Sequence, residues 1–163
     1  MIDIIGTIAT MVGEWDDESR CDLCWEFTAP MRESDLNEYQ QRTNDCCVTV
    51  AVTDFRFQLV QNVNRQSGLI TNTSEIYDFN LHYLAKDNLG LNVYNEIDGH
   101  PLVESKWATI IKPLMDCIEL PVFCEYIGRN LEVTLWRANL RIDWQDMNWS
   151  GWTINVQLRN NNT

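Results

Sequence analysis

The strongest structural signal in this sequence is the alternation of apolar and polar residues along several segments. Over residues 77–83 every odd position is apolar and every even position is polar, which is typical of a strand with one buried face. Over residues 46–60 the apolar positions change from even to odd near Thr53 and Asp54. A strand that changes faces needs a bulge or a bend at that point. The pattern therefore predicts a mainly antiparallel sheet with at least one bulged strand.

Two further segments alternate in the same way. Residues 21–27 predict a short strand that Pro30 closes. Residues 131–159 predict a long C-terminal β hairpin, in which the first strand changes faces near Arg137 and Ala138.

Helical spacing of apolar residues occurs twice. It predicts a short helix over residues 3–13, with Asp3 at the positive end of its dipole and Gly13 where it stops. It predicts a second helix over residues 105–118, which Pro113 should kink.

Polar stretches separate these elements. Residues 32–45 predict a loop or a short surface helix, and residues 61–74 a long loop or a projecting hairpin. Residues 86–103 form a second polar excursion, with a turn at Asp98 and Gly99.

The elements together predict an α+β fold: a mainly antiparallel sheet, two short helices packed on it and a long C-terminal β hairpin. A length of 163 residues favours a single domain over residues 1–163. The apolar runs are too short to cross a bilayer, so no membrane partner is expected. The first residues carry no basic region, so no secretory signal is predicted.

The charge balance narrows the choice of partners. Twenty-four acids against twelve bases give a formal charge of −12. Such a surface repels phosphate, so no sequence-specific nucleic-acid partner is expected. The acidic run over residues 14–18 lacks the alternate ligand spacing and the glycine of a calcium loop, which favours a solvated segment over a cation site.

The six cysteines allow three interpretations. Cys21 and Cys24 form a C-x-x-C, whereas Cys46 and Cys47 are adjacent. Adjacent strand residues point to opposite faces, so a four-thiolate zinc site is disfavoured. A redox C-x-x-C would open a helix after a strand, and the extended context here does not fit. The favoured interpretation is six reduced, buried thiols without a metal.

Signals for catalysis are weak. Glu96, Asp98, His100 and Glu104 are the one group that could hold a divalent metal or transfer protons, but nothing requires these side chains to converge. His82 falls on the polar face of its strand, where exposure or a satisfied hydrogen bond is favoured over catalysis. No nucleophile-elbow, phosphate-loop, dinucleotide or zinc-protease motif occurs. We therefore expect no enzyme activity and no cofactor.

Tryptophan is abundant, with seven residues in the chain. Four of them lie in the predicted hairpin: Trp136, Trp144, Trp149 and Trp152. One sheet face cannot bury all four, and aromatic residues are enriched at interfaces, so these four are the candidate interface residues. The alternative is a tryptophan-rich core. A face switch near Arg137 and Ala138 would place Trp136 and Trp144 on different packing surfaces.

The order of elements resembles that of the small ring-forming proteins of tailed bacteriophages. The features that carry the resemblance are the size, the acidic balance, the strands with a long arm, the helix over residues 105–118 and the closing hairpin over residues 131–159. It is a resemblance of topology without a fixed motif.

This resemblance implies a structural subunit of the virion, of the tail terminator or head–tail connector type. Subunits of that family form closed homo-oligomeric rings in the neck or tail, contact neighbouring virion proteins and line a channel with acids, so that DNA slides without sticking. Such a protein is made in the host cytoplasm and located in the virion. Two alternatives remain open: a monomeric binding or inhibitor protein that uses the Trp-rich hairpin, and a metal-dependent enzyme.

Overall fold

The computed structural model describes residues 2–19, 23–36, 47–86, 94–97, 100–103, 131–141 and 149–162. In chain order the elements are α1 (Ile4–Asp17), β1 (Cys24–Thr28), a 3₁₀ turn (Glu33–Asp35), β2 (Cys47–Val63), β3 (Ile70–Lys86), β4 (Tyr94–Ile97), β5 (His100–Val103), β6 (Glu132–Arg141) and β7 (Trp149–Asn162). Five strands form one sheet in the order β1-β2-β3-β7-β6, and β4 pairs with β5 in a second, two-stranded sheet. One helix and a mainly antiparallel sheet confirm the α+β class at this level.

Helix α1 begins where predicted but runs one turn past Gly13. Asp3 caps its first turn, because the Asp3 carboxylate accepts the backbone N–H of Gly6 at 2.9 Å. The prediction that Gly13 ends the helix is wrong. The next turn carries Trp15, which is buried against Trp25 of β1 with ring centroids 5.5 Å apart. Burial of that indole outweighs the cost of about 1 kcal/mol for a glycine inside a helix.

The sheet contains one parallel pair that the sequence did not predict. β1 runs parallel to β2, from Cys24 opposite Cys47 to Thr28 opposite Ala51. Residues 29–46 between them are long enough for the crossover that a parallel pair needs. The other pairs, β2 with β3, β3 with β7 and β6 with β7, are antiparallel.

The predicted face switch in β2 is confirmed as a bulge at Asp54. Thr53 lies opposite Asn80 and the next regular pair is Arg56 opposite Asp78, so β2 carries one more residue than β3 at this point. Asp54 adopts a left-handed backbone conformation with φ +54°, which Asp tolerates better than most residues.

The predicted switch in β6 is displaced. The register is irregular between Val133 and Leu135, and from Leu135 to Arg141 it is regular. A switch near Arg137 and Ala138 is therefore wrong. The apolar side chain of Leu135 predicts a buried position, whereas Leu135 is exposed on the polar face of the sheet.

Several predicted elements lie outside the described residues: the helix over 105–118, the start of the first strand at Cys21, most of the segment 32–45 and the turn over 142–148. Within the polar excursion, β4 and β5 pair antiparallel on either side of Asp98 and Gly99.

The main core lies between α1 and one face of the five-stranded sheet. It is formed by apolar residues of α1 and by the inward positions of β1, β2, β3 and β7: Ile4, Ile8, Met11, Val12, Trp15, Trp25, Val48, Val50, Val52, Tyr77, Phe79, Leu81, Tyr83, Ile154, Val156 and Leu158. The opposite face carries a small apolar cluster of Leu36, Ala51 and Leu84, and beyond it a polar surface.

Candidate interaction surface

The distal part of the β2–β3 hairpin extends past its neighbours in the sheet. We call residues 55–74 the finger; the β3 residues that pair with its first part, Glu75 to Asp78, are counted with the body of the sheet because β7 also pairs with them. Within the described residues β1 covers β2 only as far as Ala51, and the pairing of β7 with β3 ends at Thr73. The predicted long loop or projecting hairpin over residues 61–74 is therefore a hairpin. Beyond Ala51, β2 is an edge strand in the part of the chain that the structure describes.

The finger exposes a concentration of large apolar side chains. In the described part of the chain seven such side chains are exposed, and five of them lie in the finger, with exposed fractions from 40% to 68%: Phe57, Leu59, Val63, Leu69 and Ile70. Isolated exposed apolar residues are ordinary, but a contiguous group of them marks an interaction surface.

Most of these side chains share one face of the finger. Phe57, Leu59 and Val63 occupy alternate positions of β2, and Ile70 lies directly opposite Val63. Alternate positions and directly opposed residues point to the same side of a sheet. Phe57 also contacts buried Tyr77, with ring centroids 5.3 Å apart. The apolar face of the core thus continues along the finger after the cover of α1 has ended.

The turn of the finger is well ordered. The Asn64 side chain accepts the backbone N–H groups of Gln66 and Ser67 at 2.9 and 3.2 Å. The backbone of Asn64 also bonds to Gly68 and Leu69, both at 2.8 Å. Gly68 has φ +69°, a conformation that costs glycine little. Because these bonds lie within the turn, the conformation of the tip does not depend on a partner.

The face of the sheet opposite α1 carries a row of hydrogen-bonded side chains. Asn139 donates to Asn155 at 3.2 Å, Asn155 donates to Asn80 at 2.7 Å, and Asn80 donates to Asp54 at 3.3 Å. The row crosses β6, β7, β3 and β2 and ends at the bulge. It holds the bulge against the sheet.

A cavity of about 320 Å³ lies beside this row. Its described lining is Asp54, Arg56, Asp78, Phe79, Asn80, Leu135, Asn155 and Val156. Both carboxylates already accept hydrogen bonds, Asp54 from Thr53 and Asp78 from Gln157. The described lining holds no Ser, Thr, Cys, His or Lys side chain, so within it the groups that could act as nucleophile or base are the carboxylates of Asp54 and Asp78.

His82 is fully buried in this face and is hydrogen-bonded as one of the sequence alternatives expected. Its Nε2 lies 2.7 Å from the Thr53 hydroxyl and its Nδ1 lies 2.8 Å from the Thr153 hydroxyl. The Thr53 hydroxyl donates to Asp54, so its oxygen accepts from His82 Nε2–H. The ring joins β2, β3 and β7 and has no open path to a substrate.

Glu75 is a buried carboxylate that the sequence analysis did not single out. It lies on the core face, 8% exposed. The Tyr77 hydroxyl donates to Glu75 Oε2 at 2.6 Å and Asn160 donates to the same oxygen at 3.1 Å, while Tyr77 Oη accepts the backbone N–H of Ile2 at 2.8 Å. The hydrogen bond from Tyr77 lowers the pKa of Glu75 below 4.5, against the opposing effect of burial, and the bond from Asn160 lowers it further.

The structure describes the four candidate tryptophans only in part. On the strand backbone Trp136 lies opposite Val156, and Trp149 lies opposite Lys86. Trp152 is half-buried and packs against the main core. Trp144 lies outside the described residues.

The candidate metal ligands are likewise described only in part. Glu96 lies on β4 opposite Pro101, and His100 begins β5 opposite Ile97. Asp98 and Glu104 lie outside the described residues. In the described part of the chain no three His, Cys, Asp or Glu side chains are grouped to hold a metal ion.

The cysteine prediction needs a correction. Cys24 is disulfide-bonded, so the expectation of six reduced thiols is wrong. That expectation rested on an assumed reducing compartment rather than on geometry, because spacing alone does not show which cysteines the fold brings together.

Comparison with known proteins adds no family. No protein-family model and no curated protein sequence matches the chain. Among the helices that the structure describes, none has the length and apolar character needed to cross a membrane.

The finger could be found in the sequence by its charge rather than by its apolar residues. Residues 55–74 contain Arg56 and Arg65 and no acid, in a chain with twenty-four acids. The apolar residues of the finger, by contrast, are spaced as in an ordinary half-buried strand, which is why the pattern did not predict their exposure.

Proposed function

We propose that this protein is a structural subunit of a bacteriophage virion, which assembles as a closed ring in the head–tail neck or the tail, in the manner of a terminator or connector. The observation that carries the proposal is the finger, with five exposed large apolar side chains on an ordered hairpin. An arm of this kind loses its unfavourable contact with water when a neighbouring subunit covers it.

The geometry of the finger favours assembly over chemistry. A surface that reaches away from its own domain and meets a different surface on the next copy makes a heterologous contact, and such contacts generate rings when the rotation closes. The described cavity and the buried His82 offer no comparable support for a reaction, since His82, Asp54 and Asp78 already have hydrogen-bond partners within the protein.

The proposal includes the parts of the fold that lie outside the described residues. These are a second helix over residues 105–118 and a turn over residues 142–148 that joins β6 and β7 into a hairpin. Trp136, Trp144, Trp149 and Trp152 are the candidate residues for a second contact surface, toward the neighbouring virion proteins. Neither a membrane nor a cofactor takes part.

The test is the molar mass of the purified full-length protein, measured by sedimentation velocity and by electron microscopy of stained particles. We expect a closed oligomer of one defined size that becomes more populated as the concentration rises from the low to the high micromolar range. A monomer at every concentration would contradict the proposal and favour a monomeric binding protein.

A matched pair of variants links the assembly to the finger. Leu59→Gln combined with Ile70→Gln removes exposed apolar side chains from the α1 side of the finger and should shift the protein toward monomer. Gln58→Ala changes the opposite face and should leave the assembly unchanged. The altered side chains are all exposed, so the melting temperature of the monomer should be nearly constant across the set.

A further inference from the structure

The charge of the finger differs in sign from the charge of the rest of the chain. Residues 55–74 carry Arg56 and Arg65 and no acid, whereas the whole chain has a formal charge of −12. All of the net negative charge therefore lies outside the finger. Arg56 lies directly opposite Asp78 of β3, so Arg65 is the cation of the finger that remains for a partner. Two copies that approach through their acidic bodies repel each other.

Arg65 is placed for a contact at the end of the finger. It lies in the turn that Asn64 holds, next to Gln66 and Ser67, and it is exposed. Within the part of the chain that the structure describes, no carboxylate pairs with its guanidinium. Because hydrogen bonds already fix the turn, a contact through Arg65 does not require a flexible loop to become ordered on binding. This lowers the entropic cost of association.

The apolar stripe and Arg65 occupy the same projection, whereas Arg56 lies on the opposite face of β2. Phe57, Leu59, Val63 and Ile70 share the face toward α1, Leu69 stands beside the tip, and Arg65 lies at the tip. Apolar contacts supply most of the free energy of association, and complementary charge selects the partner surface and the orientation.

We infer that the finger docks on an acidic surface of a second copy of this chain. The inference rests on the proposed function and names the partner surface of its ring contact. Charge complementarity decides the occupant, since the acid-free finger fits the acidic body of another copy. Contact between two fingers would bring like charges together. The contact therefore joins two different surfaces and repeats from head to tail, as a ring requires.

The experiment compares charge reversals inside and outside the finger in the full-length protein. Arg65→Glu should weaken assembly about tenfold or more, and Arg65→Lys should retain most of it. Arg32→Glu makes the same charge change at an exposed position outside the finger and should have little effect. Raising the salt concentration should weaken the wild-type assembly and have less effect on the Arg65→Glu variant.

The outcomes separate the two proposals. If the wild-type protein never assembles, the proposed function fails. If it assembles and Arg65→Glu behaves like Arg32→Glu, the ring stands and the docking of the finger on an acidic surface is wrong. A thermal melt of each variant by circular dichroism shows whether the fold is intact, and an exposed turn residue should leave it unchanged.

Discussion

At the scale of single residues, Glu75 stands out because it is a carboxylate on the core face of the sheet. Hydrogen bonds from Tyr77 and Asn160 stabilise its charged form. They lower the pKa of Glu75 in the folded protein below 4.5. The stabilisation is therefore present above the unfolded-state pKa and is lost as the pH falls through the lower, folded-state value.

Replacing Glu75 tests this directly. Glu75→Gln should reduce the free energy of unfolding near neutral pH by about 1–3 kcal/mol. The difference from the wild-type protein should shrink as the pH falls through the unfolded-state pKa toward the lower folded-state pKa, because the folded wild type then also loses the charge. Urea unfolding at a series of pH values measures it. Glu132→Gln, at an exposed position, is the control, and an equal effect at both positions would contradict the account.

The sequence predicted some of these residue environments and missed others. It placed His82 on the polar side of its strand and anticipated a satisfied hydrogen bond, which the Thr53 and Thr153 hydroxyls supply. It did not anticipate that His82 is buried or that Glu75 faces the core. The partners of both side chains are distant in sequence, and only the pairing of β3 with β2 and β7 brings them together.

At the scale of elements, the bulge at Asp54 changes which positions of β2 face the core. Even positions face the core before the bulge, and odd positions face it after the bulge. The side chain of Asp54 accepts from Thr53 and Asn80, and its backbone has φ +54°. Asn can adopt the same backbone conformation and can also accept through its side-chain oxygen, whereas Ala can do neither without cost.

Substituting Asp54 by Ala or by Asn gives a matched pair of variants. Asp54→Ala should lower the free energy of unfolding by about 1–3 kcal/mol, and Asp54→Asn by much less. Chemical denaturation of the two variants at the same pH measures the difference. If Asp54→Asn is as damaging as Asp54→Ala, then neither the backbone conformation nor the accepted hydrogen bonds explain the bulge.

Substitutions of the tryptophans in β6, β7 and the segment between them should differ in their effects on monomer stability and on assembly. Trp152 is half-buried and packs against the main core, so Trp152→Ala should lower the melting temperature of the monomer, at a cost smaller than the loss of about 3–5 kcal/mol for a fully buried tryptophan. Among Trp136→Ala, Trp144→Ala and Trp149→Ala, at least one should leave the monomer stable and still prevent assembly with the native partners, as expected for an interface tryptophan. If every variant simply destabilises the monomer, the interface lies elsewhere, in the finger or the 86–103 excursion.

The elements were predictable to the extent that periodicity determines them. The alternation over residues 46–60 located the bulge of β2, because a change of parity has few physical explanations. The parallel pairing of β1 with β2 could not be read from periodicity, which says nothing about strand direction. The alternation of apolar residues places the face switch of β6 wrongly, because Leu135 is apolar but exposed.

At the scale of the whole molecule, the formal charge of −12 determines how the protein interacts with DNA. A surface with such an excess of acids repels phosphate. Binding of short duplex DNA near physiological salt should therefore be undetectable by fluorescence anisotropy. Micromolar affinity that falls steeply with salt would overturn this expectation and would point to a basic stripe that the net charge conceals.

The central claim is that the finger of each copy is covered by the next copy, and hydrogen exchange measures this most directly. The amides of residues 55–74 should exchange more slowly in the assembled protein than in the protein dissociated by dilution, since β2 has an open edge along the described part of the finger. The amides of α1 should change little. If the finger amides exchange equally fast in both states while the protein assembles, the contact lies elsewhere and the account is wrong.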